Sequence, residues 1–541
     1  MPVHQLFFLH AVLCSTAALS VQELSPDRAR VAYLSDEDQN DVFELFGVPV
    51  DGSAPSVRLN SALPSGGDVI TAQGLSWIEQ TAGDRVLFIA DQLTDGVHEL
   101  FSVPDDASAP PVRVSGQLVT GGDVSAFLVV KQRVVYMADA TVDNRDALFS
   151  VPLDGSSAPI PLTSSLGDVN RLIQLSRDGS LVVFTTADGL REFLHVVRTD
   201  GSQPPLLLDD SGTPGIIGYT YFHEIEIAPG DMQVVYVAAE DDDEAILGDI
   251  LSARLDGNTP PVKLNPGGRF VVLPSFSRFF RIAPDGQRVL YPDEDAAFID
   301  IKMHSVRLDG TGLVDLVPGG ESGDRRNFRI SADGVYAVFP SHGSGGTSLQ
   351  RSRLDGTQSL TLLDPIAATI IGLELVPGGN GLVYATGNIG NNTRLFSLQV
   401  PNQPLSLIGN PPASQGADLS IVNGFEPLGF TPDGQRVVFR GDLTTDEVSE
   451  LYSSLLDGSQ PALRLNPPLS GNLDVLNFRL SPDGKRVLYR ADQSANDVFE
   501  LFSVPVGGSG VSVRLNQTPV TGGDVITFAK PELRGRVMRG P

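Results

Sequence analysis

A unit of about 50 residues repeats along almost the whole chain and constrains its fold more than any other feature of the sequence. Its clearest copy spans 478–516 and reads FRLSPDGKRVLYRADQSANDVFELFSVPVGGSGVSVRLN. A unit of this size cannot bury its apolar face alone and must pack against its neighbours. One aromatic residue per copy closes the second apolar run, and it recurs at intervals of 45 to 55 residues as Tyr33, Phe88, Tyr136, Phe184, Tyr236, Tyr291, Phe339, Tyr384, Phe439 and Tyr489. The chain therefore contains ten copies.

Each copy is predicted to form four short antiparallel strands. In the clearest copy, alternating polarity over 477–480 indicates a first strand, and apolar runs follow at 487–489, 499–504 and 511–515. Pro482, Asp483 and Gly484 join the first two strands, because proline presets the backbone of a tight turn and glycine accepts positive φ. Four antiparallel strands per copy are typical of a propeller blade. We therefore predict an all-β fold, a β-propeller of about ten four-stranded antiparallel blades.

The arrangement of the ten blades has two alternatives. Single rings usually hold about four to eight blades, which favours two rings, whereas the missing linker favours one wide ring. We prefer one wide ring. The predicted units lie near 21–65, 66–120, 121–166, 167–215, 216–270, 271–320, 321–365, 366–415, 416–471 and 472–520, and 521–541 is predicted to supply a closing strand because Asp524 to Phe528 copy the start of a blade.

The N-terminal residues 1–20 are predicted to form a signal peptide. Leu6 to Leu19 make an apolar stretch that small residues follow. No Lys or Arg precedes Arg28, so a buried terminal strand or a misassigned start is the alternative. The single cysteine, Cys14, cannot form an internal disulfide, and no apolar run is long enough to span a membrane.

The charge of the chain is strongly negative, with 66 acidic and 38 basic residues and a formal net charge of −28. Nucleic acids and anionic membranes both require a basic surface, so neither is an expected partner. In an up-and-down blade, the loops between second and third strands share one rim with the connections between blades. Acidic side chains concentrate in these segments, and the candidates for binding a partner are Asp91, Asp95, Asp143, Asp293, Asp295, Asp446, Asp492 and Asp497.

This acidic rim has a functional and a structural interpretation. It could dock a cationic protein partner or calcium, a hard cation that prefers oxygen ligands. Alternatively, Asp and Asn begin turns well and were multiplied with the repeat. The calcium candidates are weak, because Asp41 and Gly47 stand where a calcium loop needs a glycine and a bidentate glutamate. They are Asp36, Asp38, Asp241, Asp242 and Asp243. No other cofactor is predicted.

Catalytic motifs are missing from the sequence. It contains no Gly-x-Ser-x-Gly nucleophile elbow, no phosphate-binding loop and no dinucleotide fingerprint. The seven histidines lack the spacing of metal ligands, so no catalytic residue is predicted. The alternative hypothesis is a metal-dependent polysaccharide lyase or hydrolase with a site in the propeller channel. Such a site would be built from histidines of the middle units, namely His195, His223, His304 and His342.

Two segments carry a resemblance to a known family. LSPDGKRVLY at 480–489 and FTPDGQRVVF at 430–439 resemble the PD40, or WD40-like, repeat of TolB-type β-propellers. The resemblance covers almost the whole chain and implies an exported bacterial protein, periplasmic or secreted, that acts in protein binding. The α/β domain that precedes the propeller in TolB is not evident here. We expect a non-catalytic, exported scaffold that binds a protein partner through its acidic rim.

Overall fold

The computed structural model consists of β-strands and their connections. It describes residues 23–24, 30–69, 76–78, 85–188, 191–209, 219–241, 246–266, 270–271, 279–294, 301–317, 322–324, 327–366, 368–378, 381–388, 391–399, 406–409, 428–445, 447–481 and 483–526. Within these ranges the strands form ten antiparallel sheets, and helices are absent. No helix that could cross a bilayer occurs among them. The prediction of an all-β propeller with ten four-stranded blades is confirmed.

Five blades, numbered 1, 2, 3, 9 and 10, have closely similar strands and are called the regular blades. Blade 1 contains Glu23–Leu24, Arg30–Ser35, Glu44–Pro49, Val57–Arg58 and also Val525–Ile526. Blade 2 contains Ser76–Ile78, Arg85–Ala90, Glu99–Pro104 and Val112–Arg113, and blade 3 contains Val124–Val130, Arg133–Ala138, Ala147–Pro152 and Ile160–Pro161. Blade 9 contains Gly429–Phe430, Arg436–Gly441, Glu450–Leu455 and Leu463–Arg464, and blade 10 contains Val475–Leu480, Arg486–Ala491, Glu500–Pro505 and Val513–Arg514.

Blades 4 to 8, called the divergent blades, have longer and more varied strands. Blade 4 contains Val169–Leu175, Leu181–Ala187, Glu192–Arg198 and Leu206–Asp209. Blade 5 contains Tyr219–Ile227, Gln233–Asp241, Ile246–Arg254, Val262–Lys263 and Phe270–Val271, and blade 6 contains Arg281–Ile282, Arg288–Glu294, Ile301–Arg307 and Val314–Asp315. Blade 7 contains Ser322–Gly323, Arg329–Ile330, Tyr336–Gly343, Gly346–Arg353 and Ser359–Ile366, and blade 8 contains Ile370–Leu375, Gly381–Asn388, Asn391–Gln399 and Ser406–Gly409.

The aromatic residue that marks each repeat packs within its own blade against the residue directly opposite on the third strand. In blade 1, for example, Tyr33 pairs with Phe46, and their ring centroids lie 5.4 Å apart. Blades 2, 3, 8, 9 and 10 contain equivalent stacked pairs, with centroid separations of 5.3 to 5.9 Å. Such cross-strand aromatic pairs stabilise a sheet by about 0.5–1.5 kcal/mol each beyond the area they bury. The periodic aromatic residue is therefore a core position of every regular blade.

The hydrophobic core is divided among the junctions between adjacent blades. Ten clusters of buried apolar side chains occur in the described ranges, and each joins two neighbouring blades. The tenth cluster joins the last blade to the first, because Leu488 and Leu501 pack with Val31 and Tyr33. Ten blades with ten consecutive junctions form one closed ring. The preference for one wide ring over two rings is therefore confirmed.

Segments from distant parts of the sequence complete blade 1. Glu23–Leu24 pairs with Val31 and Ala32, whereas Val525–Ile526 pairs with Ser35 and Leu34 at the other end of the same strand. The inner edge of blade 1 thus consists of two short pieces, while blades 3 and 10 each have one continuous inner strand. Closing the ring in this way leaves no free sheet edge between the last and the first blade.

Turns on one rim pack against the turns and outer strands of the preceding blade. Gly484 ends the turn of blade 10 at φ 68°, and a Cβ atom at this position would clash with the ring of Pro432 in blade 9. Gly52, also at φ 68°, lies so close to Val513 of blade 10 that a Cβ atom would approach its Cγ1 to 2.7 Å. Glycine is required at these two turns by both the left-handed backbone and the close approach.

Candidate functional site

On the opposite rim, pairs of aspartates hold adjacent regular blades together. Asp91, in the loop after the second strand of blade 2, accepts the backbone N–H of Gly96 at 2.9 Å with Oδ2. Its Oδ1 accepts the N–H of Asp68, in the connection from blade 1, at 2.5 Å. Asp68 in turn accepts the N–H of Phe43, in the corresponding loop of blade 1, at 2.8 Å. We call this arrangement, a loop aspartate bound to a connection aspartate, a junction staple.

Among the described residues, complete junction staples occur at three further places in the ring. Their loop and connection aspartates are Asp139 with Asp123, Asp492 with Asp474, and Asp36 with Asp524. The last pair joins residues 488 positions apart in the sequence and closes the ring between blades 10 and 1. The four loop aspartates are almost inaccessible, with exposures between 0% and 4%. A carboxylate that accepts several backbone N–H groups fixes the loop and the connection at once.

Several predicted site residues are members of these staples. Asp91 and Asp492, predicted to bind a partner, and Asp36, a calcium candidate, each use both carboxylate oxygens to accept backbone N–H groups. Both oxygens of each carboxylate are therefore already bound to the backbone without a ligand. Their predicted binding roles stay predictions, but a ligand at these positions would have to compete with the backbone of two blades.

Among the residues predicted for the site, Asp38, Asp95, Asp143 and Asp497 have exposed carboxylates in these loops. Asp95 lies against Gly66 of the preceding connection, and Asp143 lies against Gly121 in the same way. Asp497 adopts φ 60° and its N–H is held by Asp492, so the loop that presents its side chain is fixed. These side chains face solvent from a backbone that the buried aspartates hold in place.

The remaining predicted acidic residues divide into two groups. Asp293 is half-buried at the end of a strand in blade 6, with Oδ2 3.6 Å from Nε2 of His304, and burial raises its pKa above the ordinary value. Asp241 ends the second strand of blade 5. Outside the described residues lie Asp242, Asp243, Asp295 and Asp446.

Ring closure brings the acidic loops of the regular blades together. Blades 9 and 10 come last in the sequence, yet blade 10 packs against blade 1, so the five regular blades are consecutive in the ring. We call the rim of these five blades the docking arc. Its exposed described carboxylates are Asp38, Asp41, Asp95, Asp143, Glu447 and Asp497. Carboxylates concentrated along one rim create a negative potential that attracts cationic groups.

Burial and neighbouring groups shift the pKa values of several residues on this rim. Burial raises the pKa of the Asp68 carboxyl and of the Asp524 carboxyl above their ordinary values, and the N–H groups that each accepts oppose the shift. A hydrogen bond to Asp123 raises the pKa of the His98 imidazole, whose Nδ1 lies 3.2 Å from that carboxylate. This hydrogen bond favours the protonated imidazole at the junction between blades 2 and 3.

The four histidines considered for a channel site lie in different blades. His195 and His304 occupy the position opposite the periodic aromatic residue, with ring centroids 5.2 Å from Phe184 and 5.5 Å from Tyr291. Burial lowers the pKa of His195 to about 4, and Nε2 hydrogen-bonds with Thr186. Both replace the aromatic partner of the regular blades; His195 is buried, whereas His304 is partly exposed.

The other two histidines belong to blades 5 and 7. His223 lies on the first strand of blade 5, near the ring of Phe279, and His342 lies on the second strand of blade 7, 3.2 Å from the hydroxyl of Thr347. No group of three His, Cys, Asp or Glu side chains suited to a metal ion occurs in the part of the chain that the structure describes.

The sequence interpretation missed an ion pair that is repeated in the regular blades. Glu44 at the start of the third strand of blade 1 is buried and pairs with Arg58 of the outer strand at 2.8 Å. Equivalent pairs at 2.6 to 3.1 Å are Glu99 with Arg113, Glu450 with Arg464, and Glu500 with Arg514. The constant spacing of 14 residues between the two charges could have indicated these pairs from the sequence.

Comparisons with known proteins concern the fold. No protein-family model and no curated protein matches the chain. Similar solved structures include dipeptidyl peptidase 4 of Porphyromonas gingivalis, with 10% identity and a TM-score of 0.44 over 82% of this chain and 59% of that chain. An oligogalacturonate lyase in complex with manganese has 15% identity and a TM-score of 0.34 over 73% of this chain and 98% of that chain.

TolB from Acinetobacter baumannii is also similar, with 12% identity and a TM-score of 0.28 over 62% of this chain and 78% of that chain. The chain spans 59% of the length of the peptidase, as it does of puromycin hydrolase and of the tricorn protease. It is a ten-bladed β-propeller, and the solved structures similar to it include TolB proteins.

Proposed function

We propose that this protein is an exported, non-catalytic scaffold that binds a cationic protein partner through the docking arc. The main observation behind the proposal is that buried and exposed aspartates of the same loops have different roles. The buried aspartates of the junction staples fix the loops. Exposed aspartates of the same loops, such as Asp95 and Asp143, project from this fixed backbone. A preorganised surface binds with a smaller loss of conformational entropy than a flexible one.

Export to the periplasm or the medium is part of the proposal and is supported by the apolar N-terminal stretch. The scaffold role is supported by repeat coverage and by the missing catalytic motifs. Calcium is the alternative cation for the exposed carboxylates, since it also prefers oxygen ligands. No cofactor is needed for the proposed role.

The test uses a fluorescent 20-residue peptide of alternating glycine and lysine as a defined cationic probe. We expect binding by fluorescence anisotropy at about 50 mM NaCl that weakens strongly at about 200 mM NaCl, because exposed charges are screened by salt. The variant Asp95→Asn/Asp143→Asn/Asp497→Asn removes three exposed charges from the docking arc and should weaken binding about tenfold. Asn144 occupies the position of Asp497 in blade 3, so asparagine suits that positive-φ site.

A matched control removes three exposed charges from the turns of the other rim. In Asp154→Asn/Asp200→Asn/Asp457→Asn the amide oxygen can still accept the N–H groups of Ser156, Ser202 and Ser459. The net charge of this variant matches that of the arc variant, but the removed charges lie on the other rim, so it should bind within about twofold of the original protein. Equal losses in both variants would contradict a specific docking arc. Displacement of the probe by millimolar calcium but not by millimolar magnesium would instead favour calcium as the ligand.

A further inference from the structure

The contact of residues 517–526 with residues 33–41, called the ring seam, contains a buried carboxyl group without an ion pair. Glu37 is 2% exposed, and its Oε1 accepts a hydrogen bond from the hydroxyl of Tyr33 at 3.0 Å. Its Oε2 is buried and has no hydrogen-bond partner. Burying a charged group without a counterion destabilises the folded arrangement around it.

Neutral residues occupy the corresponding position of the other regular blades. In blade 10, Oε1 of Gln493 accepts the hydroxyl of Tyr489 at 2.9 Å, which is the geometry of Glu37 and Tyr33 with an uncharged amide. In blade 2, Oε1 of Gln92 accepts the N–H of Ser61 at 2.9 Å. Blades 3 and 9 contain alanine and leucine there. Among the regular blades, only blade 1 therefore has a carboxyl group at this position.

The groups around Glu37 do not compensate a negative charge well. Its own loop supplies Tyr33, Asp36 and Asp38, and the closing segment supplies Asp524 and the backbone amide of Gln517. Arg490 of blade 10 interacts with Asp524 and Asp492. Burial raises the pKa of Glu37 to about 7, and the hydroxyl of Tyr33 and the nearby backbone N–H of Gln517 oppose the shift. Above this pH, the carboxylate is charged and buried.

The backbone of Glu37 is also part of the attachment of the closing segment. Its carbonyl oxygen accepts the N–H of Val520 at 3.0 Å, and the hydroxyl of Ser35 donates to the carbonyl oxygen of Asp524 at 2.8 Å. Among the described residues, Asp524 also exchanges hydrogen bonds with Asp36, and Val525 and Ile526 pair with blade 1 as a strand. An unfavourable charge at Glu37 therefore acts directly on the residues that hold the segment.

We propose that the ring seam is a strap that opens as a local unit, in which residues 517–526 leave blade 1 while the other nine junctions stay packed, and that the Glu37 carboxylate determines how readily it opens. Local openings of this kind require less free energy than global unfolding. Glutamine at the same position would keep the bond from Tyr33 and remove the charge, so the strap would stay closed.

Hydrogen exchange followed by mass spectrometry at pH 8.5 tests the proposal. Residues 117–126, between blades 2 and 3, are an internal control, because Val119, Gly122 and Val124 donate to the same kinds of acceptor as Val520, Gly523 and Val525. After correction for intrinsic rates, we expect exchange in 517–526 to be at least about tenfold faster than in 117–126. Glu37→Gln should reduce this difference to about threefold or less.

The reverse substitution introduces a buried carboxyl group at the equivalent position of another junction. Gln92→Glu places a carboxyl group against the connection 61–69, and we expect faster exchange there with no change in 117–126. Equal exchange of 517–526 and 117–126 in the original protein would overturn the proposal. So would fast exchange of 517–526 that Glu37→Gln leaves unchanged, and this result is independent of whether Gln92→Glu folds.

Discussion

The regular and the divergent blades seal their junctions with different side chains. Between regular blades, the buried aspartates of the loops bind backbone N–H groups of the neighbouring blade. Between divergent blades, side chains on or beside the first, inner strand of each blade form the polar contacts instead. Arg171 donates to the carbonyl oxygen of Phe222 at 2.6 Å, and Arg281 donates to that of Phe328 at 2.8 Å.

Two further inner-strand contacts continue this series through blade 8. The Glu224 carboxylate accepts the N–H of Phe280 at 3.3 Å, and Arg329 forms two hydrogen bonds with Glu374, one of them at 3.0 Å. At these junctions, polar contacts of two different kinds therefore accompany the apolar clusters. A closed ring therefore does not require the repeated aspartates in blades 4 to 8.

The largest effect is expected for Asp91→Ala. The substitution leaves the N–H groups of Gly96 and Asp68 without their acceptor and should lower the free energy of unfolding by about 4 kcal/mol. Chemical denaturation monitored by tyrosine and tryptophan fluorescence measures it. The control Asp95→Ala removes an exposed carboxylate and should change stability by less than about 0.5 kcal/mol. Similar losses for both variants would contradict the junction staple.

A pH-dependent effect of up to about 3 kcal/mol is expected from His195, because a pKa shift of one unit corresponds to about 1.4 kcal/mol. Its pKa is lowered to about 4 by burial, whereas an unfolded histidine titrates near its ordinary value of 6.5. The unfolded chain therefore binds the proton more readily, and stability should fall as the pH decreases from about 6.5 through about 4. His195→Phe, which restores the aromatic pair of the regular blades, should flatten this part of the stability profile.

Thermal melts of both proteins at several pH values between 4 and 7 provide the measurement. Parallel profiles for the original protein and His195→Phe would show that other groups cause the acid sensitivity. His98→Phe serves as a control for removal of a histidine, because that side chain is about one-third exposed at the rim and its removal should change stability by no more than about 0.5 kcal/mol.

The Arg329–Glu374 contact predicts an asymmetric result in the divergent blades. Arg329 is 7% exposed and Glu374 is 37% exposed. Glu374→Ala removes the carboxylate partner of a buried guanidinium and should lower the free energy of unfolding by about 2 kcal/mol. Arg329→Met leaves a carboxylate that water can reach and should lower it by about half as much. Denaturation of the two single variants distinguishes these costs. A larger loss for Arg329→Met would contradict the assigned bridge.

The smallest expected effect concerns His98. Asp123 raises its pKa, so the ion pair stabilises the folded protein below the ordinary histidine pKa and this contribution is lost as the pH rises through the folded value. Since both side chains are about one-third exposed, the contribution should be about 0.5 kcal/mol. An NMR titration should show a His98 pKa above 6.5 that Asp123→Asn lowers. A pKa that is unchanged in this variant would contradict the interaction.

The fold could be predicted from the sequence because its signals are local. Turn residues such as Pro482 and Gly484 and the alternation around them define strands within each copy, and repetition defines the number of blades. One ring rather than two was harder to infer. It depends on the pairing of Val525–Ile526 with Arg30–Ser35, a contact between segments almost 500 residues apart.

The candidate site could be predicted only in part, because residue type does not report burial. Asp91 and Asp95 are both acidic and four positions apart, yet the first binds the neighbouring backbone and the second faces solvent. That distinction arises from the adjacent blade and is not visible within one repeat. The role of His195 was visible in principle, since it aligns with the stacked Phe46 and Phe101 of other copies.

The most direct test of the account compares Asp91→Asn with Asp95→Asn in two measurements on the same samples, the melting temperature and the affinity for the glycine-lysine peptide. Both variants lose one charge from the same loop. We predict that Asp91→Asn lowers the melting temperature while the folded protein retains its affinity, and that Asp95→Asn weakens binding without changing the melting temperature. A lowered melting temperature for Asp95→Asn, or weakened binding by folded Asp91→Asn alone, would contradict the division between structural and docking aspartates.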